Sequence, residues 1–276
     1  MLCTDRNGKE INLRPLWDAI LDVYAEFVKI CERHSLLYCA DCGTTLGAVR
    51  HKGFIPWDDD FDLEMPRSDY EKFVEVAKSE LPKGYAWLDR FNCPTYEHAF
   101  GKVIVTDKSV VDRVSSESGM SLDQGIFIDV FPMDGYPNSS IARLLRKFQG
   151  WMWEFWPAMA KILEKSGVSR NGALRLWSHR MLADLTEMRA KKYQFGSTEL
   201  CVSIGVSRWF DDKPYQFKFF GAPKMVPFDR VLVPVQEDAE SYLTSIFGDY
   251  MQLPPVEQRH PAHTVGHPKS WRLGPM

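Results

Sequence analysis

Hydrophobic residues recur at three- and four-residue spacing from Leu13 through Leu16, Trp17, Ile20, Leu21, Tyr24, Phe27 and Val28 to Cys31. That spacing puts them on one side of a helix and predicts an amphipathic first helix, with Asn12 as its cap. Residues 36–40 form a short apolar run that reads as a buried strand. Asp41-Cys42-Gly43-Thr44 reads as a turn into a short helix that ends near His51-Lys52-Gly53. A second strand is predicted over about 60–64. It is followed by a helix capped by Ser68, which carries Tyr70, Phe73, Val74 and Ala77 and ends before Pro82. The pattern then turns to β, with strands predicted at 85–91, 99–106, 110–115 and 126–131. From 139 to about 193 it is helical, with an interruption near 167–172. Strands at 217–220 and 231–233, a helix around 235–247 and a Pro/His-rich tail from Pro254 complete the chain.

With no internal repeat or low-complexity linker, this order of elements predicts one α/β catalytic domain over 1–276. Its core is about 13–135, a helical insertion spans about 139–195, and 196–276 is a C-terminal part. The 276 residues are 45% hydrophobic and 26% charged, a globular composition. With 34 basic and 37 acidic residues nearly cancelling, charge gives no case for a nucleic-acid partner. Residues 1–12 are polar and lack the apolar core of a secretory signal. No window reaches the roughly 18 apolar residues of a membrane span. A cytoplasmic location is expected, with the six cysteines as reduced thiols. Cys39 and Cys42 form a C-x-x-C, but without a second ligand pair they read as buried small residues. The Trp-rich segment 151–163, broken by Glu154, Pro157 and Lys161, is expected to be a buried helix. Peripheral contact with a membrane is its second reading.

The candidate chemistry lies between Gly43 and Asp62. In Pro56-Trp57-Asp58-Asp59-Asp60-Phe61-Asp62, strand alternation projects Asp60 and Asp62 to one side, about 7 Å apart, and Asp58 joins them if the extended geometry starts early. Carboxylates on one face repel unless a cation lies between them. Few hard oxygen ligands, with room for phosphate oxygens, describe a Mg²⁺ site, with Mn²⁺ as an alternative. Just upstream, Gly43 and Thr44 open a helix whose amides and hydroxyl suit phosphate oxygens, and Arg50 can neutralise phosphate charge. Asp129, flanked by apolar residues in Ile126-Phe127-Ile128-Asp129-Val130-Phe131, supplies a third carboxylate, as metal ligand or general base.

The run from Asp41 through Gly43-Thr44, Leu46-Gly47-Ala48-Val49-Arg50 and Gly53-Phe54-Ile55-Pro56-Trp57-Asp58-Asp59-Asp60-Phe61-Asp62 resembles the LicD family. So do Met65-Pro66-Arg67 with Asp69-Tyr70-Glu71-Lys72-Phe73, Lys102, the Ile128–Gly135 stretch, and Phe247-Gly248-Asp249-Tyr250-Met251 with Leu253-Pro254-Pro255. That family includes bacterial phosphorylcholine transferases and is related to the fukutin-type transferases. The resemblance implies a nucleotidyltransferase-like α+β fold with a mixed sheet. It implies transfer of a phospho-alcohol, phosphocholine first, from a CDP-linked donor to a sugar hydroxyl of a cell-surface glycan or lipid-linked precursor. It further implies that Asp60 and Asp62 hold Mg²⁺ with Asp58 close by, that Asp129 is the third carboxylate, and that Gly43, Thr44, Arg50 and Lys102 contact the diphosphate. The sequence departs from the family pattern at Val105-Thr106-Asp107-Lys108-Ser109, where an Arg-Asp pair is expected.

A choline-bearing donor needs a cation site, for which Trp87, Phe91, Tyr96, Phe100, Trp151, Trp153 and Trp156 are available. Two other classes compete. An Asp-x-Asp that holds a metal also serves glycosyltransferases using nucleotide sugars, but the Gly-Thr turn upstream favours the nucleotidyltransferase arrangement. A catalytically silent binding protein is disfavoured because every expected carboxylate is present. His260, His263 and His267 have loose metal-like spacing, but the intervening prolines favour a surface tail or a substrate gate over zinc.

Overall fold

A computed structural model describes residues 2–5, 8–122, 125–166, 173–203 and 214–261. A hairpin of β1 (Leu2–Thr4) and β2 (Glu10–Asn12) leads into α1 (Arg14–His34). The α1 stripe is buried as predicted, from Leu16 and Trp17 through Tyr24 and Phe27 to Cys31. Leu13 occupies the N-cap position; the Asn12 side chain accepts from the Arg14 N–H instead, at 3.2 Å. Next come β3 (Cys39–Ala40), α2 (Cys42–Leu46) continuing as a π-turn over Gly47–His51, β4 (Asp62–Pro66) and α3 (Arg67–Glu80). Pro66 rather than Ser68 stands at the α3 N-cap.

β5 (Tyr85–Leu88), β6 (Gly101–Val105), α4 (Lys108–Ser118) and the ten-residue β7 (Phe127–Tyr136) follow. The strand expected at 110–115 is α4. The Asp107 side chain caps it by accepting from the Ser109 N–H at 2.9 Å, and Gly119 ends it at φ 73°. Val110, Val111 and Val114 suit a helix face as well as a strand, and the cap decides between them.

Two helices, α5 (Ser140–Lys165) and α6 (Ala173–Ala190), lie between β7 and β8 (Leu200–Ser203). β9 (Tyr215–Gln216) is followed by a 3-10 turn, Phe217–Phe219, where a strand was expected. The turn brings Phe217 and Phe220 onto the same ring, Phe195, at 5.1 and 5.9 Å, whereas a strand would split them between faces. The hairpin β10 (Lys224–Phe228) and β11 (Val231–Val235) precedes α7 (Ala239–Phe247).

The central sheet runs β3-β4-β7-β6-β5, with β8 and β9 added along the second half of β7. β4 and β7 are parallel and the other pairs antiparallel, which makes the sheet mixed. Pro132 has no N–H to give. It falls where β6, paired to 127–130, ends and β8, paired to 133–136, begins. α1, α3 and α4 cover one face of the sheet, where Leu63, Met65, Val103, Ile128 and Val130 are all completely buried. α2, α7 and the C-terminal segment lie over the other. This is the α+β, nucleotidyltransferase-like arrangement that the resemblance implied.

Candidate active site

Strand register assembles the site. Asp62 of β4 pairs with Asp129 of β7, and Asp129 pairs with Lys102 of β6, so the three form one row across adjacent strands. Facing partners share a side of the sheet, and this side is opposite the apolar core. The Lys102 ammonium donates to the Asp129 carboxylate in a buried ion pair, and it lies 3.6 Å from the centre of the Phe127 ring. Lys102, expected on a diphosphate, is therefore first of all the counter-ion of Asp129.

The acidic turn before β4 brings the other carboxylates. Asp58 is fixed through its backbone: its N–H donates to Ile55 O and its carbonyl accepts from the Trp17 indole, both at 2.8 Å. Asp58 and Asp60 interact directly through their side chains. The Asp58 carboxyl is held well above the usual range by burial, then by Asp60 and Asp59. Asp62 is likewise pushed well up, by burial first and then by Asp60, Asp129, Asp41 and Asp58. This is the signature of carboxylates crowded beyond what Lys102 can neutralise.

α2 anchors the strand to this cluster. The Thr44 hydroxyl oxygen is buried and accepts from the Asp62 N–H at 2.8 Å. Asp41 takes the amides of Cys42, Thr44 and Thr45, and these bonds leave the Gly43 N–H. A Cβ on Gly43 would stand 3.0 Å from the Asp58 carboxylate oxygen, so glycine there lets the acidic turn close onto α2. Thr44 is thus a positioning group, and Gly43 is the close-approach point.

Arg50 lies further off. It donates to Tyr250 O at 2.6 Å and to the His51 ring at 2.9 Å, and burial lowers its pKa. It borders a cleft of about 520 Å³ that is also lined by Leu46, Trp57, Phe247, Asp249 and Tyr250. The Arg259 guanidinium lies 5.6 Å from the Trp57 ring centre, a cation–π contact.

Several residues escaped the sequence reading. Glu64, two positions after Asp62, is fully buried and accepts from Gln236 at 2.7 Å. Its carboxyl is pushed well up by burial and then by Asp41. Asp41 accepts a hydrogen bond from Tyr242 of α7. The strand alternation that singled out Asp60 and Asp62 also contains Glu64; Gln236 and Tyr242, some 200 residues downstream, carry no local signal. Of the aromatic-cage candidates, Trp87 and Tyr96 are core residues at 3% and 0% exposure, closed to a ligand, and Phe100 is buried as well. Phe91 and Trp156 are exposed, and the side chains of Trp151 and Trp153 lie outside those described. His260 contacts the Pro261 carbonyl, and His263 and His267 lie outside the described residues. Cys39 and Cys42 are free, and burial raises both thiols, which suits inert packing rather than redox chemistry.

Among the described residues no three carboxylate, imidazole or thiol side chains are placed to hold a metal ion together as they stand. The donor set still fits a hard divalent cation. Asp58, Asp60, Asp62 and Asp129 are oxygen ligands in mutual electrostatic contact with a surplus of negative charge.

Residues 35–142, which contain the whole row and the acidic turn, match the family described as LicD/FKTN/FKRP, nucleotidyltransferase domain. The chain is 29% identical over 265 residues to the lipopolysaccharide cholinephosphotransferase LicD of Haemophilus influenzae, across 92% of this chain and 97% of that protein. Over residues 35–142 the chain is similar to the LicD family, and over most of its length it is similar to that relative. Shorter matches join the chain to uncharacterized proteins of Rickettsia typhi, 35% identical over 21% of the chain and 18% of that protein, and of Rickettsia prowazekii, 26% identical over 40% and 36%.

Proposed function

We propose that this chain transfers phosphocholine from CDP-choline to a sugar hydroxyl of a cell-surface glycan or its lipid-linked precursor. The observation that carries the reading is the Asp62–Asp129–Lys102 row with Asp58 and Asp60 beside it, inside the matched domain. The name of the Haemophilus influenzae relative supplies the phosphocholine and the lipopolysaccharide acceptor.

In the transfer, the acceptor oxygen attacks the choline-bearing phosphorus and the bond from that phosphorus to the CMP oxygen breaks. The hydroxyl proton passes to a base. Mg²⁺ held by Asp60 and Asp62, with Asp58 and Asp129 adjoining, would offset charge on the donor phosphates and the departing CMP. Thr44 and Asp41 keep α2 against the β4 strand, so the carboxylates and the Gly43 amide stay in register. The cleft beside Arg50 suits the transferred group: Arg50 faces its phosphate charge, and Trp57, Tyr250 and Asp249 suit a quaternary ammonium. Asp129 takes the acceptor proton or completes the metal site. Titrating Mg²⁺ against Asp129→Asn separates the roles, since a lost ligand weakens metal dependence and a lost base leaves it unchanged while turnover falls about 10²–10⁴-fold.

The decisive experiment is calorimetric binding and turnover with CDP-choline, CDP-ethanolamine, CDP-glycerol and CDP-ribitol, with UDP-sugars as the competing class. CDP-choline is expected to bind most tightly in the presence of Mg²⁺. Binding of a UDP-sugar with none of any CDP-alcohol would transfer the case to a glycosyltransferase.

A further inference from the structure

α5 carries its apolar stripe on the wrong side for a core helix. Ile141, Leu144, Leu145, Phe148, Met152, Phe155, Trp156 and Ile162 are 44–73% exposed. At about 100° per residue they fall within roughly 120° of arc, one unbroken ridge along a helix of 26 residues. The residues turned inward are Arg146, Gly150 and Ala160, all buried. Arg146 stacks 4.6 Å from the Tyr136 ring, and its carbonyl accepts from Arg189 of α6 at 3.1 Å. The expectation that this segment is a buried helix is thus not met: among the described side chains, one arginine and two small residues meet the protein and the large apolar ones meet solvent. A contiguous exposed apolar face of this kind marks an interaction surface.

The flank of the ridge decides what covers it. Arg143, Lys147, Lys161 and Lys165 share one side of the helical wheel next to the stripe. A long ridge with Phe and Trp at its middle and cations along its border matches the boundary between acyl chains and anionic headgroups. Among the described residues no helix is long and apolar enough to cross a membrane, so α5 would lie on the surface rather than span it. We infer that α5 docks this protein in the plane of an anionic lipid surface. The inference stands on α5 alone and does not depend on the transfer reaction.

Co-sedimentation of the full chain with vesicles tests it, using phosphatidylcholine alone and phosphatidylcholine mixed with phosphatidylglycerol. The chain should bind the anionic vesicles at least about tenfold more strongly, and less at high salt. Phe148→Glu/Phe155→Glu should reduce that binding at least about tenfold, with the melting temperature not lowered and any transferase activity towards a water-soluble acceptor unchanged. Absence of binding to anionic vesicles would overturn the inference, as would equal binding to both compositions or binding that the double variant retains. So would a dimer, seen by light scattering, that the same substitutions dissociate, because the ridge would then serve a second copy of the chain.

Discussion

On β7, Ile128 and Val130 are completely buried under α1, and between them Asp129 turns to the opposite side and meets Lys102. β4 repeats the contrast with Leu63 and Met65 against Asp62 and Glu64, and β6 with Val103 against Lys102. Around Asp129 the same three strands therefore present packing on one sheet face and charge on the other. One residue step exchanges them. Packing on the first face is what keeps uncompensated carboxylates together on the second, since their repulsion and burial both act against folding. Substitutions should therefore separate cleanly, activity lost from one face and stability from the other.

The largest expected effect is on the charged face. Asp60→Asn and Asp62→Asn should each lower turnover by about 10²-fold or more, because a lost metal ligand removes several kcal/mol of transition-state stabilisation. Without added metal, Asp62→Asn should melt no lower than the parent and even higher, because it removes one charge from a crowded set. Turnover with Mg²⁺ and parallel melting curves check both halves. Retention of more than about a tenth of the parent rate in both variants would remove these residues from the site.

Next in size is a test of where the rule bends. Asp134 has the same parity on β7 as Ile128 and Val130, yet it is charged and 1% exposed. Arg67, at the start of α3, holds it with two hydrogen bonds, Nε to Oδ1 at 3.0 Å and Nη2 to Oδ2 at 2.6 Å. Arg67→Met leaves that carboxylate buried and unpaired and should cost about 3–5 kcal/mol, whereas Arg67→Met with Asp134→Leu should recover most of the loss. Denaturant unfolding of the four proteins of the cycle measures it. Equal losses in the single and double variants would mean that this charge is not merely structural.

The plain core residue comes third. Ile128→Ala, one position from Asp129, should destabilise by about 2–5 kcal/mol while turnover per folded molecule stays close to that of the parent. A fall in turnover comparable to that of the Asp variants would show that the two faces are not independent.

How much of this could be read beforehand follows from how local each signal is. The α1 stripe, the α3 face and the strands of Asp62 and Asp129 rest on periodicity along short stretches of chain, and these elements appear close to where the pattern put them; the strand expected from about 60 begins at Asp62, which leaves Asp60 in the turn before it. The structure brings Asp62 and Asp129 into one row, as the sequence led us to expect; what they bind is a matter for the variants above. The α4 helix was missed because three valines outweighed the Asp107 cap, and the 3-10 turn at Phe217–Phe219 because aromatic contacts with Phe195 are not local. The ion pair of Lys102 depends on which strands become neighbours, and the Tyr242–Asp41 and Gln236–Glu64 bonds on where the C-terminal segment settles, which no spacing encodes. α5 shows the limit of amphipathicity itself: a stripe says that a face needs apolar cover, not whether protein or something else provides it.

The smallest expected effect sets two carboxylates shifted in opposite directions against each other. Glu187 of α6 is drawn up by burial, but the Lys191 and Arg90 hydrogen bonds and then the charges of Arg90 and Arg67 outweigh this, and its folded value lies below the ordinary 4.5. A carboxyl lowered in the folded state binds fewer protons there than in the unfolded chain. Its contribution is fully present above the unfolded value and is lost as the pH falls through the folded one. Asp62, raised in the folded state, has the reverse sign and detracts from stability at neutral pH when no cation is bound. Glu187→Gln should therefore lower the melting temperature at neutral pH and flatten its fall below about pH 4.5. Asp62→Asn, measured without metal, should change the neutral-pH melting temperature in the opposite direction. Melting curves from about pH 3 to 7 on both variants give the comparison. If both move the same way at neutral pH, the contrast between a carboxylate paired for structure and one crowded for chemistry does not hold.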